Sequence, residues 1–139
     1  MATGIDAKIA SLLFDHAEAM TLPQTTGFAY PDVVFVPTNE QPYIRLSFLP
    51  NTPNTLAIGA GYIQHIGLFQ MSIMWPVGSG ISDSLETADT IQQEFDKGTR
   101  LISSSILVNV ISRPTIGGQI IDGNRTMTPV TVEYRSFNT

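Results

Sequence analysis

Among the side chains able to do acid–base or metal chemistry, histidine occurs only twice in 139 residues, as His16 and His65. A zinc site needs imidazoles, thiolates or carboxylates at short, fixed spacings so that three or four ligands converge. Neither histidine makes such a spacing with the other or with a carboxylate. His16 follows Asp15 on a stretch of helical periodicity and reads as a solvated helix residue. His65 lies in an extended apolar run and reads as a strand residue, not as a general base. Ser103, Ser104 and Ser105 enter a strand-like run without the sharp strand-to-helix turn that presents a nucleophilic serine. Glu86 and Asp89 stand three apart on one helix face, the usual arrangement of a solvated acidic pair. Cysteine is absent, which removes disulfides, thiolate metal sites and cysteine nucleophiles.

One segment has the outline of a ligand loop. Gly78-Ser79-Gly80 separates an extended run from a helical one, the position where backbone N–H groups can cradle a phosphate. The match fails in detail. No third glycine or Lys-Ser/Thr pair follows, and the helix opens with Asp83 and Glu86, which would repel an anion. Those acids suit the positive end of the helix dipole instead. Asn124-Arg125-Thr126 fits a glycosylation sequon but reads as a turn, since no secretory leader precedes it. The expectation is no catalytic residue, no metal and no cofactor, with a small phosphate- or nucleotide-binding domain as the alternative from a different class.

Composition sets the frame around those residues. A chain of 139 residues is one domain, long enough to bury about two-thirds of its unfolded surface. Apolar residues make up 42% and charged residues only 14%, against roughly 25% charged in an ordinary soluble domain. A surface so poor in charge points to patches hidden in an assembly, with Ser, Thr, Asn and Gln as the other possible cover. The net charge is −5, and Arg45, Arg100, Arg113, Arg125 and Arg135 are scattered along the chain. Duplex binding gains from clustered cations, so no direct nucleic-acid site is expected. Neither a charged-then-apolar leader nor an apolar run of about 18 residues occurs. No membrane association is expected, and the product is expected to stay in the cytosol until it is assembled.

The positioning elements follow from periodicity. Ile9, Leu12, Leu13, Ala17 and Met20 recur at helical spacing over residues 4–20, with Thr3 or Asp6 as cap. Four prolines and Gly27 then forbid a helix between residues 21 and 42, leaving Val33–Val36 as a short edge strand. Tyr43–Phe48 alternates, with Ile44, Leu46 and Phe48 on one face. Pro50 to Asn54 reads as an irregular loop. A long strand follows over Tyr62–Trp75, with Gly67 as a candidate bulge. Residues 81–95 read as a helix with Leu85, Ala88, Ile91, Gln92 and Phe95 inward and Gly98 as C-cap. Ile102–Ser112 and Met127–Arg135 complete the set, joined by the turn Gly117–Asn124. This predicts an α+β domain: a mainly antiparallel sheet of four to five strands with two helices packed on one face.

The face of the sheet turned away from those helices is not cleanly polar. It carries Arg45, Gln70, Ser72, Asn109 and Glu133, but also Leu68, Met74, Leu107 and Ile111. A solvated antiparallel sheet face is normally more polar than this. Leu68, Met74, Leu107, Ile111 and Arg45 are the predicted subunit interface, with cover of this face by the N-terminal helix or loops as the alternative.

The order of segments carries a resemblance as well. AYP at Ala29 leads through VVFVP to PYIRLSFLPNTPNTLAIG, and a second strand, GLFQMSIMWP, ends on Trp-Pro. A glycine turn, a helix rich in Ala and Asp (ETADTIQQEF), Ser112-Arg113-Pro114 and a closing VTVEYRS follow. Together these resemble the phage tail terminator proteins over nearly the whole chain. The resemblance implies a non-enzymatic virion protein at the head-proximal end of a long, non-contractile tail. It further implies a homo-hexameric ring that caps the tail tube, halts addition of tube subunits and presents a surface to the head-side connector. The implied partners are further copies of the chain, the major tail tube protein and the connector or stopper, with DNA passing through unbound. A tube subunit or head-side stopper of the same particle is the nearer alternative. The turn-rich loops 51–61 and 117–124 are candidates for contacts between rings.

Overall fold

Two long strands that pair along their whole length organise the molecule. The computed structural model describes residues 5–20, 27–30, 42–51, 54–55, 63–76, 78, 82–102, 106–123 and 125–138. In chain order the elements are α1 (Ile5–Glu18), β1 (Gly27–Ala29), β2 (Tyr43–Pro50), β3 (Asn54–Thr55), β4 (Ile63–Pro76), α2 (Ser82–Glu94), β5 (Arg100–Ile102), β6 (Leu107–Val110), β7 (Thr115–Ile116), β8 (Ile120–Asp122) and β9 (Arg125–Asn138). β4 runs antiparallel to β9 from Ile63↔Asn138 to Pro76↔Arg125 without a slip. β2 pairs with the other edge of β4, and β1 lies parallel to β2. The sheet path is β1-β2-β4-β9-β6-β5, with β3 on β4 and β7 and β8 on β9.

Period-2 patterning decides which side is the core. Phe69, Met71, Ile73 and Trp75 of β4 meet Ile44 and Leu46 of β2 and Val130, Val132 and Tyr134 of β9, all in one buried cluster. Both helices lie on that side. α1 contributes Ile9, Leu13 and Ala17, and α2 contributes Ala88, Ile91 and the following Phe95. Phe69 joins the layers, with ring centroids 5.8 Å from Phe14 and 5.7 Å from Phe95. Each such fully buried large side chain contributes about 1.5–3 kcal/mol relative to exposure. The expected α+β layering and the placement of both helices on one face hold.

Several expectations need correction. Among the described residues the sheet has nine strands and is mixed, because β1 adds in parallel; three residues flanked by turn formers give too little pattern to read. Val33–Val36 lies outside the described residues. The loop after Pro50 is not wholly irregular, since Asn54 and Thr55 pair with Gln64 and Ile63. Ile102–Ser112 is not one strand: β5 and β6 are antiparallel partners, Leu101 opposite Val108, so the chain reverses between them. In α2 the buried set is Ser84, Thr87, Ala88 and Ile91, while Leu85 is 40% exposed. Small side chains let the helix sit close to the sheet, which rotates Leu85 outward. Gly98 does adopt a left-handed φ of 89°, but in the turn leading to β5, where its N–H donates to the Val110 carbonyl.

Gly67 is not a bulge. It keeps register with both Pro50 and Tyr134, and its reason is space. A Cβ there would stand 2.5 Å from Tyr134 Oη and 2.6 Å from the Leu49 carbonyl oxygen. The Tyr134 ring lies over the bare glycine and stacks on Phe48, with centroids 5.5 Å apart and planes 16° from parallel. An aromatic side chain covering a cross-strand glycine restores the packing that the missing side chain forgoes.

The irregular half of the sheet is the stretch from β6 to β8. Five steps of chain from Val110 to Thr115 oppose three steps of β9, Tyr134 to Thr131. The surplus residues loop out and are clipped to the end of α2. Arg113 donates to Asp96 Oδ2 at 3.1 Å and to Gln92 Oε1 at 3.0 Å, and Gln92 donates to the Pro114 carbonyl at 2.8 Å. The Ser-Arg-Pro run thus fastens a bulged edge to a helix terminus. Beyond it, Asp122 pairs with Arg125 across a two-residue connection, and Gly123 supplies the positive φ of 64° that such tight hairpins need.

Candidate functional site

The face of the sheet turned away from the helices is built by the residues out of phase with the core. Register places Tyr43, Arg45, Ser47 and Leu49 of β2 beside Met74, Ser72, Gln70 and Leu68 of β4. Met127, Pro129, Thr131, Glu133 and Arg135 of β9 continue those rows, with Asn109 of β6 and Arg100 of β5 beyond.

The five predicted interface residues fall into three situations. Leu68 is 37% exposed and shares a shallow cleft of about 240 Å³ with Ile66, Ile111 and Glu133. Ile111 reaches that cleft because its N–H donates to the Glu133 carbonyl at 3.1 Å, which holds the first residue after β6 against β9. Leu107 is half-buried at the far end of β6, opposite the exposed Ile102. The structure therefore brings Leu68 and Ile111 together and leaves Leu107 apart from their cleft.

Met74 is different. It belongs to this face by register, yet only 2% of it is exposed. Two bonds that straddle β4 in opposite directions roof it over. Arg45 reaches from β2 to donate to Met127 Sδ on β9 at 3.2 Å. Arg125 reaches back from β9 so that its guanidinium lies 5.0 Å above the Tyr43 ring on β2, a cation–π contact. Beneath these side chains Ser72 and Met74 are buried, a second small core that alternation alone does not reveal. Met74 is thus closed off from the surface, whereas Arg45 remains exposed above it.

Arginines far apart in the chain meet here. Arg45, Arg100, Arg125 and Arg135 all belong to this face by register, four of the seven Lys and Arg residues. Glu133 is the one acid that faces them among the described side chains. Register corrects the reading of the arginines as scattered only in part: they share one face but form two groups, Arg45 with Arg125 above Met74, and Arg100 with Arg135 in the row of Ile66. The pairing register was the missing signal.

The candidate chemistry of the sequence resolves as follows. His16 is not merely solvated: its Nε2 lies 2.8 Å from the Glu94 carbonyl oxygen, and its ring stands edge-on to Phe95 at 4.7 Å. That contact ties the end of α1 to the end of α2, where an exposed carbonyl needs a donor. His65 is buried with Asp6 Oδ1 3.9 Å from Nδ1, and neither ring nitrogen has a hydrogen-bond partner among the described residues. Tyr134 Oη nearby is likewise buried and unbonded there. Burial, with a lesser contribution from the Asp6 charge, pushes its pKa up to about 12. Ser79 and Gly80 of the glycine turn and Ser103–Ser105 lie outside the described residues. Glu86 and Asp89 are exposed as expected. Among the described residues no group of three His, Cys, Asp or Glu side chains is placed to hold a metal ion, and no helix is long and apolar enough to cross a membrane.

The comparisons with known proteins agree with a scaffold of this kind. No curated protein matches the chain. One solved structure superposes with a TM-score of 0.70 over 97% of this chain and 94% of its own, at 24% identity, a likeness of fold. The sequence profile of phage tail terminator proteins matches residues 8–134, from the first turns of α1 through the strand that carries Tyr134. With the α+β layering and the central strand–turn–helix order already in place, that match covers nearly every element described, and the chain belongs to the phage tail terminator protein family.

Proposed function

We propose that this phage tail protein acts as a ring of identical subunits that caps the tail tube, stops its growth and offers the exposed side of the ring to the head connector. The ring is a homo-hexamer, the reaction it performs is assembly, and it uses no cofactor. Its position is the head-proximal end of the tail in the virion. Its partners are further copies of the chain, the major tube protein and the connector or stopper, and DNA passes through the ring without specific binding.

The observation that carries this reading is the outer sheet face. Leu68 and Ile111 leave an apolar cleft open, and Leu107 is only half covered. A free-standing domain would set polar groups there. A closed ring presents two different patches of each subunit to its two neighbours, so one face left partly apolar and another face of different chemistry support it. Negative-stain images and native mass spectra test the reading. A ring, formed alone or on added tube ends, is the expected result. A persistent monomer at high concentration with tube protein present would overturn it, and fibre-like polymers of the purified chain would favour a tube subunit.

A further inference from the structure

The charge of this chain is divided between its two layers. The helix layer carries Asp6, Asp15 and Glu18 on α1 and Asp83, Glu86, Asp89 and Glu94 on α2, with Asp96 just beyond. All but the half-buried Asp96 are exposed. Its cations are Lys8, Lys97 and Arg113, the last held by Asp96. The opposite layer, the outer sheet face, holds Arg45, Arg100, Arg125 and Arg135 against Glu133 and, by register, Asp122. Among the described residues, then, the helix layer is acidic and the outer sheet face carries the arginines.

Each side also has an apolar centre. On α2, Leu85 is 40% exposed and lines a broad, shallow depression with Glu86, Asp89 and Thr90. On the sheet, Leu68, Ile111 and Glu133 line a shallow cleft, with Arg135 two residue pairs further along β4 and β9, the next position on the same face, and Arg100 in that same row. One surface offers an exposed leucine flanked by carboxylates, the other a cleft of Leu68 and Ile111 that also holds Glu133, with the guanidinium groups of Arg135 and Arg100 in the next row.

From this complementarity we infer that the outward face of α2 docks onto the outer sheet face of a second copy of this chain. Leu85 enters the cleft lined by Leu68 and Ile111, and Glu86 and Asp89 meet Arg135 and Arg100 in the row beside it. The inference rests on the ring reading above and deepens it by naming both halves of the contact. Two different patches in contact make a head-to-tail association, which closes into a ring when each contact carries the right rotation and otherwise extends as a filament. Leu85 turns outward because Ser84, Thr87 and Ala88 occupy the buried face of α2. In this account the displaced leucine is an anchor, and the surrounding charges select partner and orientation.

Charge reversal with mutual rescue tests it. One variant carries Glu86→Arg and Asp89→Arg; the other carries Arg100→Glu and Arg135→Glu, the two arginines in the row beside the cleft. Each variant alone places like charges in contact and should raise the concentration at half-association by at least about tenfold in sedimentation velocity or native mass spectrometry. Mixing the two in equal amounts restores one complementary contact of each kind, so association should return. The fourfold variant, reversed on both sides, should associate by itself. Unchanged far-ultraviolet circular dichroism confirms that each variant is folded. Single-sided variants that assemble like the parent, or a mixture that stays apart, refute the pairing while leaving the ring reading intact. A parent that never assembles, even on tube ends, defeats both. If the arginine variant instead assembles normally and loses a salt-sensitive retention of DNA that the parent shows, the basic face belongs to nucleic acid and the inference is wrong.

Discussion

Replacing Gly67 with alanine isolates the closest packing constraint in the sheet. In an ordinary strand the exchange would stabilise by roughly 0.5–1 kcal/mol, because glycine loses more chain entropy on folding. Here the new methyl would meet Tyr134 Oη at 2.5 Å, Tyr134 Cζ at 2.8 Å and the Leu49 carbonyl oxygen at 2.6 Å. The ring can retreat only by leaving its stack on Phe48. The carbonyl cannot retreat without opening the β2–β4 ladder, in which Leu49 pairs with Leu68 and Pro50 with Gly67. Overpacking of this kind costs about 1–3 kcal/mol, and partial loss of a buried aromatic contact about 0.5–1.5 kcal/mol more. The net expectation is a loss of about 2–3 kcal/mol, or a fall in Tm of about 6–12 °C for a domain of this size. Differential scanning calorimetry of the parent and Gly67→Ala reads it directly. The double variant Gly67→Ala/Tyr134→Phe separates the two contacts: it should stay destabilised, since the Leu49 oxygen remains. A Tm equal to or above that of the parent would refute the reasoning.

Three further outcomes follow from named contacts. Tyr134→Phe should be neutral or stabilising by up to about 1 kcal/mol in thermal melts, because it removes a buried hydroxyl that has no partner among the described residues. With the folded Tyr134 pKa raised from 10.0 to about 12, its contribution is fully present below pH 10. It is lost between pH 10 and 12, costing the parent on the order of 2–3 kcal/mol there. Denaturant melts across that range should show the decline, and Tyr134→Phe should lack it. Leu68→Glu and Met74→Glu, both on the outer face, should diverge. The former should keep a folded monomer and weaken assembly. The latter, which sets a carboxylate under the Arg45–Met127 and Arg125–Tyr43 roof, should lower Tm, because a desolvated carboxylate replaces the packed Met74 side chain and pulls both arginines from their present partners.

The parts of the structure legible in the sequence are those whose pattern is local. The alternation from Ile44 to Phe48 and from Phe69 to Trp75 assigns core and outer faces correctly, because a strand's period of two leaves no third choice. Helix α1 is legible for the same reason, its Ile9–Leu13–Ala17 stripe being strictly periodic. What escaped depends on long-range pairing. β1 gains its identity only from its parallel partner, and the single run read over Ile102–Ser112 conceals a reversal that only the Leu101–Val108 pairing reveals. The candidate site divides along the same line. Leu68 stands open as expected, but the burial of Met74 requires arginine side chains to cross β4 from both flanks. The arginine face itself exists only once register has placed β2, β9 and β5 in one sheet, with β4 and β6 between them.

The capping role is tested most directly by adding the purified chain to tube protein that is polymerising and imaging the tubes by negative stain. The account predicts rings seated on one end of each tube and an arrest of growth that depends on the amount of chain added. Tubes that lengthen unchecked beside a monomeric chain would contradict it.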